Sequence, residues 1–534
     1  MGSKLQSGRK TLRRKKQMPL IAKHEQEQEQ EYAGVPLFDS ITKNQEKIKQ
    51  DLGDSRDVSI RKLILNDAAQ NEFLIVYIDG IVSDESINKF IVEPLQIYAN
   101  EDNSEKITPD LLRNRLVAIS SVELISDWGI FYRYLFLCGC MVFINGFDTA
   151  LFAKVPGGEG RGIEEPKTEM TIRGPKEGFT ESLYTNMALI RKKLRSPKLW
   201  SEMWTIGKLS QTPVSMVYIK GLADEKVMQT LRERLEAIDI DGVLETNYIE
   251  ELITDQKWTL FPTIINNERP DVIAGMLLEG RIVIMVDGSP FALIMPVSLN
   301  SFFQAAEDYY QRFDIATFLR LLRFISFFLA LLMPSIYVAI VSYHQEMIPT
   351  PLLLKLAAQR EGVPFPAYLE AFLMEFVFEI LREAVLRMPI AAGNTVSIVG
   401  GLVIGQSIVE AGIVSPAVVI VVSFTAITSF VSPAYNLGIA ARLLRFLLLL
   451  AASTLGFYGI SLILLLLLLH LSHLRSIGMP YLKPFAPFLA SDWKDSIIRA
   501  PLWKMKLRPQ LLAGNNRQRE QVQQPEEEQS NDQT

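Results

Sequence analysis

The chain has 534 residues, a net charge of −5 and two cysteines, and 48% of its residues are hydrophobic. That length exceeds what one hydrophobic core fills, so more than one domain is expected. The near-balanced charge gives no electrostatic footprint for nucleic acid. Cys138 and Cys140, in "CGC", are too few for a zinc site and too close for an easy intramolecular disulfide. They read as reduced, semi-buried core residues, and no metal or cofactor is called for.

The apolar residues are unevenly spread: they dominate from Phe318 to His470, while the chain before Ser301 and after Ser491 is charged. This predicts an α/β soluble N-terminal half made of two duplicated α/β subdomains, followed by an all-α polytopic membrane domain. The basic run ending at Lys16 is followed by "EQEQEQE" rather than by an apolar segment, so no signal peptide is read there and the first half is expected to stay where it was made. Residues 1–60 read as a basic and polar disordered tail whose cations could rest on anionic lipid heads.

Two stretches about 140 residues apart repeat each other. "FLIVYIDGIVSDESI" (Phe73 to Ile87) and "VSMVYIKGLADEKV" (Val214 to Val227) share a strand, a V-Y-I-x-G end and an acidic helix start. "MVFINGFDTALFAKVP" (Met141 to Pro156) pairs with "RIVIMVDGSPFALIMP" (Arg281 to Pro296). Asn145-Gly146 and Asp287-Gly288 supply the positive φ angles of tight hairpins. Subdomains at 61–157 and 205–300 follow, joined by a linker and helix at 158–204. In that linker Arg173, Gly174, Pro175 and Glu177 lie in "RGPKE", which breaks regular structure before a helix over 180–193.

The membrane domain is placed at 301–475. Phe318 to Tyr343 is long enough to span hydrocarbon, with Pro334 as a kink and Arg320 and Arg323 marking the cytoplasmic side. Phe446 to Leu469 reads as a second uninterrupted span, followed by His470 and His473 as interfacial anchors. Both termini then lie in the cytoplasm and the crossings are even in number, four or else six. Arg442 and Arg445 fit this poorly, since they would sit at the far face. Residues 476–534 read as a cytoplasmic C-terminal tail with a disordered end.

Between the spans, residues 364–387 are apolar but carry Glu370, Glu375, Glu379, Arg382, Glu383 and Arg387. Glu375, Glu379, Arg382 and Glu383 are read as the polar face of an amphipathic helix at the membrane interface or beside a wet cavity, with a structural collar as the alternative. Pairing is expected between Glu379 and Arg382 and between Glu383 and Arg387. In "IVGGLVIGQSIVEAGIVSP" (Ile398 to Pro416), Thr395 just ahead of it, Val399, Val403, Gln406 and Glu410 share one helical face. Gly401 and Gly405 point nearly the opposite way and would admit a neighbouring helix. Several copies around an axis would form a pore with a valine constriction and a polar ring. The plainer alternative has Gln406 and Glu410 bonding neighbouring helices of one subunit.

Beyond these readings, the chain from about Leu63 to Pro487 resembles the A subunits of bacterial spore germinant receptors, the GerA family. The resemblance is carried by "TIRGPKEGFTESLYTNMALIRKKLRSP", "NERPDVIAGMLLEGRIVIMVDGSP", "EDYYQRF", "VPFPAYLEAFLMEFVFEILREA", "IVGGLVIGQSIVEAGIVSP" and "RLLRF", in that order. It implies a homo-oligomer, a pentamer, that forms the channel of a nutrient receptor in the spore inner membrane. It also implies a transporter-like B subunit that senses the germinant, a lipoprotein C subunit, and cation release as the start of germination. Three function classes compete: a ligand-gated ion channel, a transporter, and a non-conducting scaffold that relays binding. A transporter predicts inverted repeats, which the membrane part lacks. No nucleophile, base and oxyanion group can be assembled from the motifs, so the chain is not read as an enzyme.

Overall fold

The computed structural model describes residues 32, 34–65, 71–100, 107–119, 121–157, 165–166, 169, 171–388, 405–489, 492–509 and 518–519. The chain falls into two compact units, residues 1–161 with 194–199 and residues 162–193 with 200–534. In the first, helix α1 (Ile41–Leu52) precedes β1 (Val58–Leu65) and β2 (Asn71–Ile78). β3 (Val122–Ile125), α2 (Trp128–Leu135), β4 (Gly139–Ile144) and β5 (Ala150–Lys154) follow. The strand order is β1-β2-β4-β5-β3, antiparallel throughout. The central strands are apolar on both sides because both faces are covered. Phe73, Ile75, Val142 and Ile144 join Ile91 and Leu95 in one buried cluster, while Phe143 packs against Trp128 and Phe131 of α2.

The second unit opens with α3 (Leu183–Lys193) and a sheet built from β6 (Leu199–Ile206), β7 (Thr212–Ile219), β8 (Ile265–Asn267), β9 (Ile282–Val286) and β10 (Ala292–Met295). Helices α4 (Glu225–Glu236), α5 (Thr246–Ile253) and α6 (Pro270–Leu278) interleave with the strands. Its order, β6-β7-β9-β10-β8, is the order of the first sheet. The likeness extends to the helix ahead of each sheet. Asn44 accepts from Phe38 N at 3.0 Å and donates to Phe38 O at 2.7 Å; Asn186 does the same with Thr180, at 2.7 and 2.6 Å. Gly146 N donates to Asp39 O and Gly288 N to Glu181 O, at 2.8 and 2.7 Å. Each helix is thus tied to its own sheet's hairpin turn. Two expectations are corrected here. Residues up to 60 are not all disordered tail, because α1 buries Ile41, Ile48 and Leu52, and α3 belongs with the second sheet rather than to a linker.

The remainder of the second unit is helical: α7 (Phe313–Tyr343), α8 (Thr350–Arg360), α9 (Ala367–Arg387), α10 (Gly405–Glu410), α11 (Pro416–Ser429) and α12 (Tyr435–His473). Two of these, α7 and α12, are long and apolar enough to cross a membrane. The expectation of an uninterrupted final span is corrected: α12 breaks at Gly456, whose φ of 59° and ψ of −138° are not helical. A straight helix of 39 residues would be about 58 Å long and would put residues eight apart at about 12 Å along its axis. Instead, the position a Cβ would take on Gly459 lies 2.2 Å from Ala451 O. Both ends of α12 also return to the second α/β region, Asn436 to Asn266 at 3.4 Å and His470 to Thr259 at 3.0 Å. The element is therefore a hairpin of two antiparallel legs, residues 435–455 and 457–473. Tyr343, at the end of α7, caps the turn by donating to Ser453 O at 2.5 Å.

The described residues after α12, 474–489 and 492–509, are not a loose tail. Arg475–Ser476 pairs with Met479–Pro480, and the chain then packs back along the start of α7.

Candidate functional site

The most concentrated chemistry lies where α9 runs antiparallel to the first leg of α12. Arg445 Nη1 meets Glu375 Oε2 at 2.5 Å and Arg442 Nη1 meets Glu379 Oε2 at 2.8 Å. Moving four residues along α9 matches moving three residues back along α12, as antiparallel helices require. Glu370 takes Arg360 Nε at 3.3 Å and Ser415 N at 2.9 Å, while Arg382 donates to Ser429 Oγ at 2.8 Å. Glu370, Glu375 and Glu379 of α9 are thus each turned onto a cation. Buried carboxylates attract matching guanidiniums because each charge alone would be far costlier. This also accounts for Arg442 and Arg445 inside an apolar helix. Glu379 and Arg382 approach only to 3.9 Å, so the main partner of Glu379 is Arg442. Glu383 and Arg387 do pair, at 2.6 Å on the exposed side.

A second buried network anchors the start of α7. Arg320 donates from Nε to Asp308 Oδ2 at 2.8 Å and from Nη1 to Asp495 O and Oδ1 at 2.8 and 3.0 Å. Arg323 Nη1 reaches Asp308 Oδ1 at 2.8 Å and Phe303 O at 3.2 Å. Arg320 and Arg323 therefore hold the segment that follows the second sheet, and the C-terminal segment, onto the helix. Burial pushes the Asp495 carboxyl above the usual range, against the pull of Arg320.

The linker is pinned by a residue that sequence reasoning passed over. Arg269, fully buried, donates to Glu169 O, Thr171 Oγ1, Pro175 O and Asp271 Oδ2 at 2.8 to 3.1 Å. Gly174, at φ 140°, lies against the Tyr310 ring, which a Cβ would meet at 2.6 Å. Glu177 pairs with Lys193 at 2.9 Å, and Arg173 is exposed. The signal available was the "NERPDV" block itself, an arginine between an Asn turn and a helix-starting proline. Beside this loop is a cavity of about 740 Å³ lined by Asp271, Gly275, Tyr310, Leu386 and Tyr435 among others.

Of the residues proposed to line a pore, Thr395, Val399 and Val403 lie outside the described residues, as does Gly401. Gln406 and Glu410 are exposed on α10 and bond each other, Gln406 Nε2 to Glu410 Oε1 at 2.8 Å. Close packing at Gly405 is not seen: no described atom lies within 4 Å of where its Cβ would be. The tight glycine approach is at Gly459 instead. No group of three or more His, Cys, Asp or Glu side chains able to hold a metal lies among the described residues.

The family model for the Bacillus/Clostridium GerA spore germination protein matches residues 46–511. The chain belongs to the GerA family. Spore germination protein KA of Bacillus subtilis is 45% identical over 493 residues, covering 92% of this chain and 90% of that protein. Spore germination protein GerLA of Bacillus cereus is 40% identical, covering 87% and 94%. An uncharacterized membrane protein of Bacillus subtilis, YfkQ, is 43% identical, covering 86% and 89%. Among solved structures, the N-terminal domain of the A subunit of the Bacillus megaterium spore germinant receptor GerK3 is 34% identical. It covers 49% of this chain and 96% of that one, with a TM-score of 0.37. The matched range contains the six sequence blocks, two of which supply the paired charges: Glu375 and Glu379 in one, Arg442 and Arg445 in the other.

Proposed function

We propose that this GerA-family chain is the A-type membrane subunit of a nutrient germinant receptor, and that it oligomerises, as a pentamer, into a ligand-gated ion channel that triggers germination by ion release. One observation carries the reading. Glu370, Glu375 and Glu379 each have an arginine, whereas Glu410 is exposed and among the described residues is bonded only by Gln406. An uncompensated carboxylate in an apolar helical region is costly unless it meets water or another polar surface. Repeating Gln406 and Glu410 around an axis supplies a polar ring, with Val399 and Val403 as the constriction behind it.

The helix directions support a multi-pass arrangement. Leu386 of α9 lies with Tyr435 beside the α/β region, and Glu370 of α9 bonds Ser415 at the opposite end. In this reading α7, α9, α11 and the two legs of α12 are traversals of the spore inner membrane, the crossings are even in number, and both termini are cytoplasmic. A transporter-like B subunit and a lipoprotein C subunit complete the receptor in this reading, the former sensing the germinant. The test is ion efflux from vesicles holding the reconstituted full chain. Val403→Ser wets the constriction and raises efflux without ligand; unchanged efflux from correctly assembled Val403→Ser protein refutes the pore and favours a scaffold.

A further inference from the structure

The loop between α5 and β8 combines tight fixation with an exposed aromatic tip. Four contacts from the end of α12 and the turn after it clasp the loop. His470 Nε2 meets Thr259 Oγ1 at 3.0 Å, Ser476 Oγ donates to Thr263 O at 2.6 Å, Gly478 N donates to Asp255 Oδ2 at 2.7 Å, and Tyr481 OH donates to Pro262 O at 2.8 Å. The Phe261 ring lies against His470, with centroids 6.3 Å apart. At the tip of this clamped loop Trp258 is 95% exposed, Leu260 is also exposed, and Lys257 precedes them in the open. Fixing a loop this firmly while leaving a tryptophan in water is unfavourable for a soluble surface, since the indole is the largest apolar body available.

The neighbouring surface identifies what covers it. On the last turns of α12, Leu465, Leu466, Leu468 and Leu469 are exposed, and His470, which follows directly, is the residue bonded to the loop. The apolar flank of the helix therefore continues into Leu260 and Trp258. Tryptophan concentrates where hydrocarbon gives way to head groups, with its ring in the apolar layer and its N–H toward water, and a lysine beside it reaches the phosphates.

We infer that the loop is a second attachment of the α/β region to the bilayer, seating Trp258 among phospholipid head groups next to the exit of α12. The inference rests on the reading that α12 crosses a membrane. It makes the region bearing β8 and α6 follow the membrane surface, so movement of that region is transmitted to the end of the last helix.

The test uses the full chain in phosphatidylcholine–phosphatidylglycerol vesicles whose acyl chains are brominated either near the head group or near their ends. Subtracting the emission of Trp258→Phe from that of the native protein isolates Trp258. The expected result is blue-shifted emission that is quenched most by bromine near the head group. Water-like, unquenched emission overturns the inference, and so does blue-shifted emission that bromine at neither depth touches, which assigns the loop to a protein partner. A control separates the two layers of argument. Leu462→Trp in the Trp258→Phe background, on the exposed side of the second leg, is quenched by the deeper bromine if α12 spans the bilayer. Failure of Leu462→Trp alongside Trp258 removes the spanning reading; failure of Trp258 alone removes only the anchor.

Discussion

Replacing Glu375 by Gln is the sharpest probe of the α9–α12 contact. The pair it breaks is 2.5 Å long, and its arginine and glutamate side chains are 3% and 1% exposed. Among the described residues Arg445 Nε and Nη2 and Glu375 Oε1 have no hydrogen-bond partner, so there the pair is held by one contact and is poorly insulated against loss of a member. Breaking such a buried pair costs about 3 to 5 kcal/mol, because the surviving charge stays desolvated. The two single substitutions are unequal: after Arg445→Met the carboxylate can take up a proton, whereas after Glu375→Gln the guanidinium cannot lose one. Glu375→Gln is therefore the costlier change. The double variant Glu375→Leu/Arg445→Met removes both charges and their unmade hydrogen bonds, and is expected to be neutral or more stable by about 1 to 4 kcal/mol. The assay is the unfolding midpoint in SDS mixed micelles for the native protein and Glu375→Gln, and for a double-mutant cycle made of Glu375→Leu, Arg445→Met and their double variant. A Glu375→Gln cost below about 1 kcal/mol, the value of an exposed pair, or a double variant as unstable as the sum of the singles, refutes this account.

The hairpin in α12 predicts that Gly459→Leu forces the two legs apart, since the new side chain meets backbone at Ala451 that cannot move aside. The expected outcome is a loss of at least about 1 to 3 kcal/mol, measured in the same micelles, while Gly438→Leu, which has open space, leaves the midpoint nearly unchanged. In the α/β region, burial and then the nearby Glu245 charge push the Glu250 carboxyl from 4.5 up to about 7. The unfolded chain loses that proton first, so this group's contribution to stability falls as pH rises from 4.5 to about 7 and is level above it. Glu250→Gln should flatten that part of the melting-temperature profile; an identical slope in the variant shows that other groups set it.

The sequence by itself determined whatever depends on near neighbours. Alternating apolar residues with Asn145-Gly146 and Asp287-Gly288 specify strands and hairpin turns, because side-chain period and turn dihedrals are local properties. The uninterrupted apolar run of α7 likewise follows from composition alone. Helix α1 was legible too, in "FDSITKN" and "TESLYTN", but its polar surface hid the spaced Ile41, Ile48 and Leu52. Tertiary structure decided the rest. Arg442 and Arg445 look misplaced in an apolar helix until Glu379 and Glu375, 63 and 70 residues earlier, are brought opposite them. Hydropathy measures how apolar a stretch is and carries no direction, so it cannot distinguish one long span from two legs folded at Gly456. That reversal is set by what lies across the turn: Tyr343, which takes up the carbonyl of Ser453, and Gly459, whose missing side chain lets the second leg close on the first.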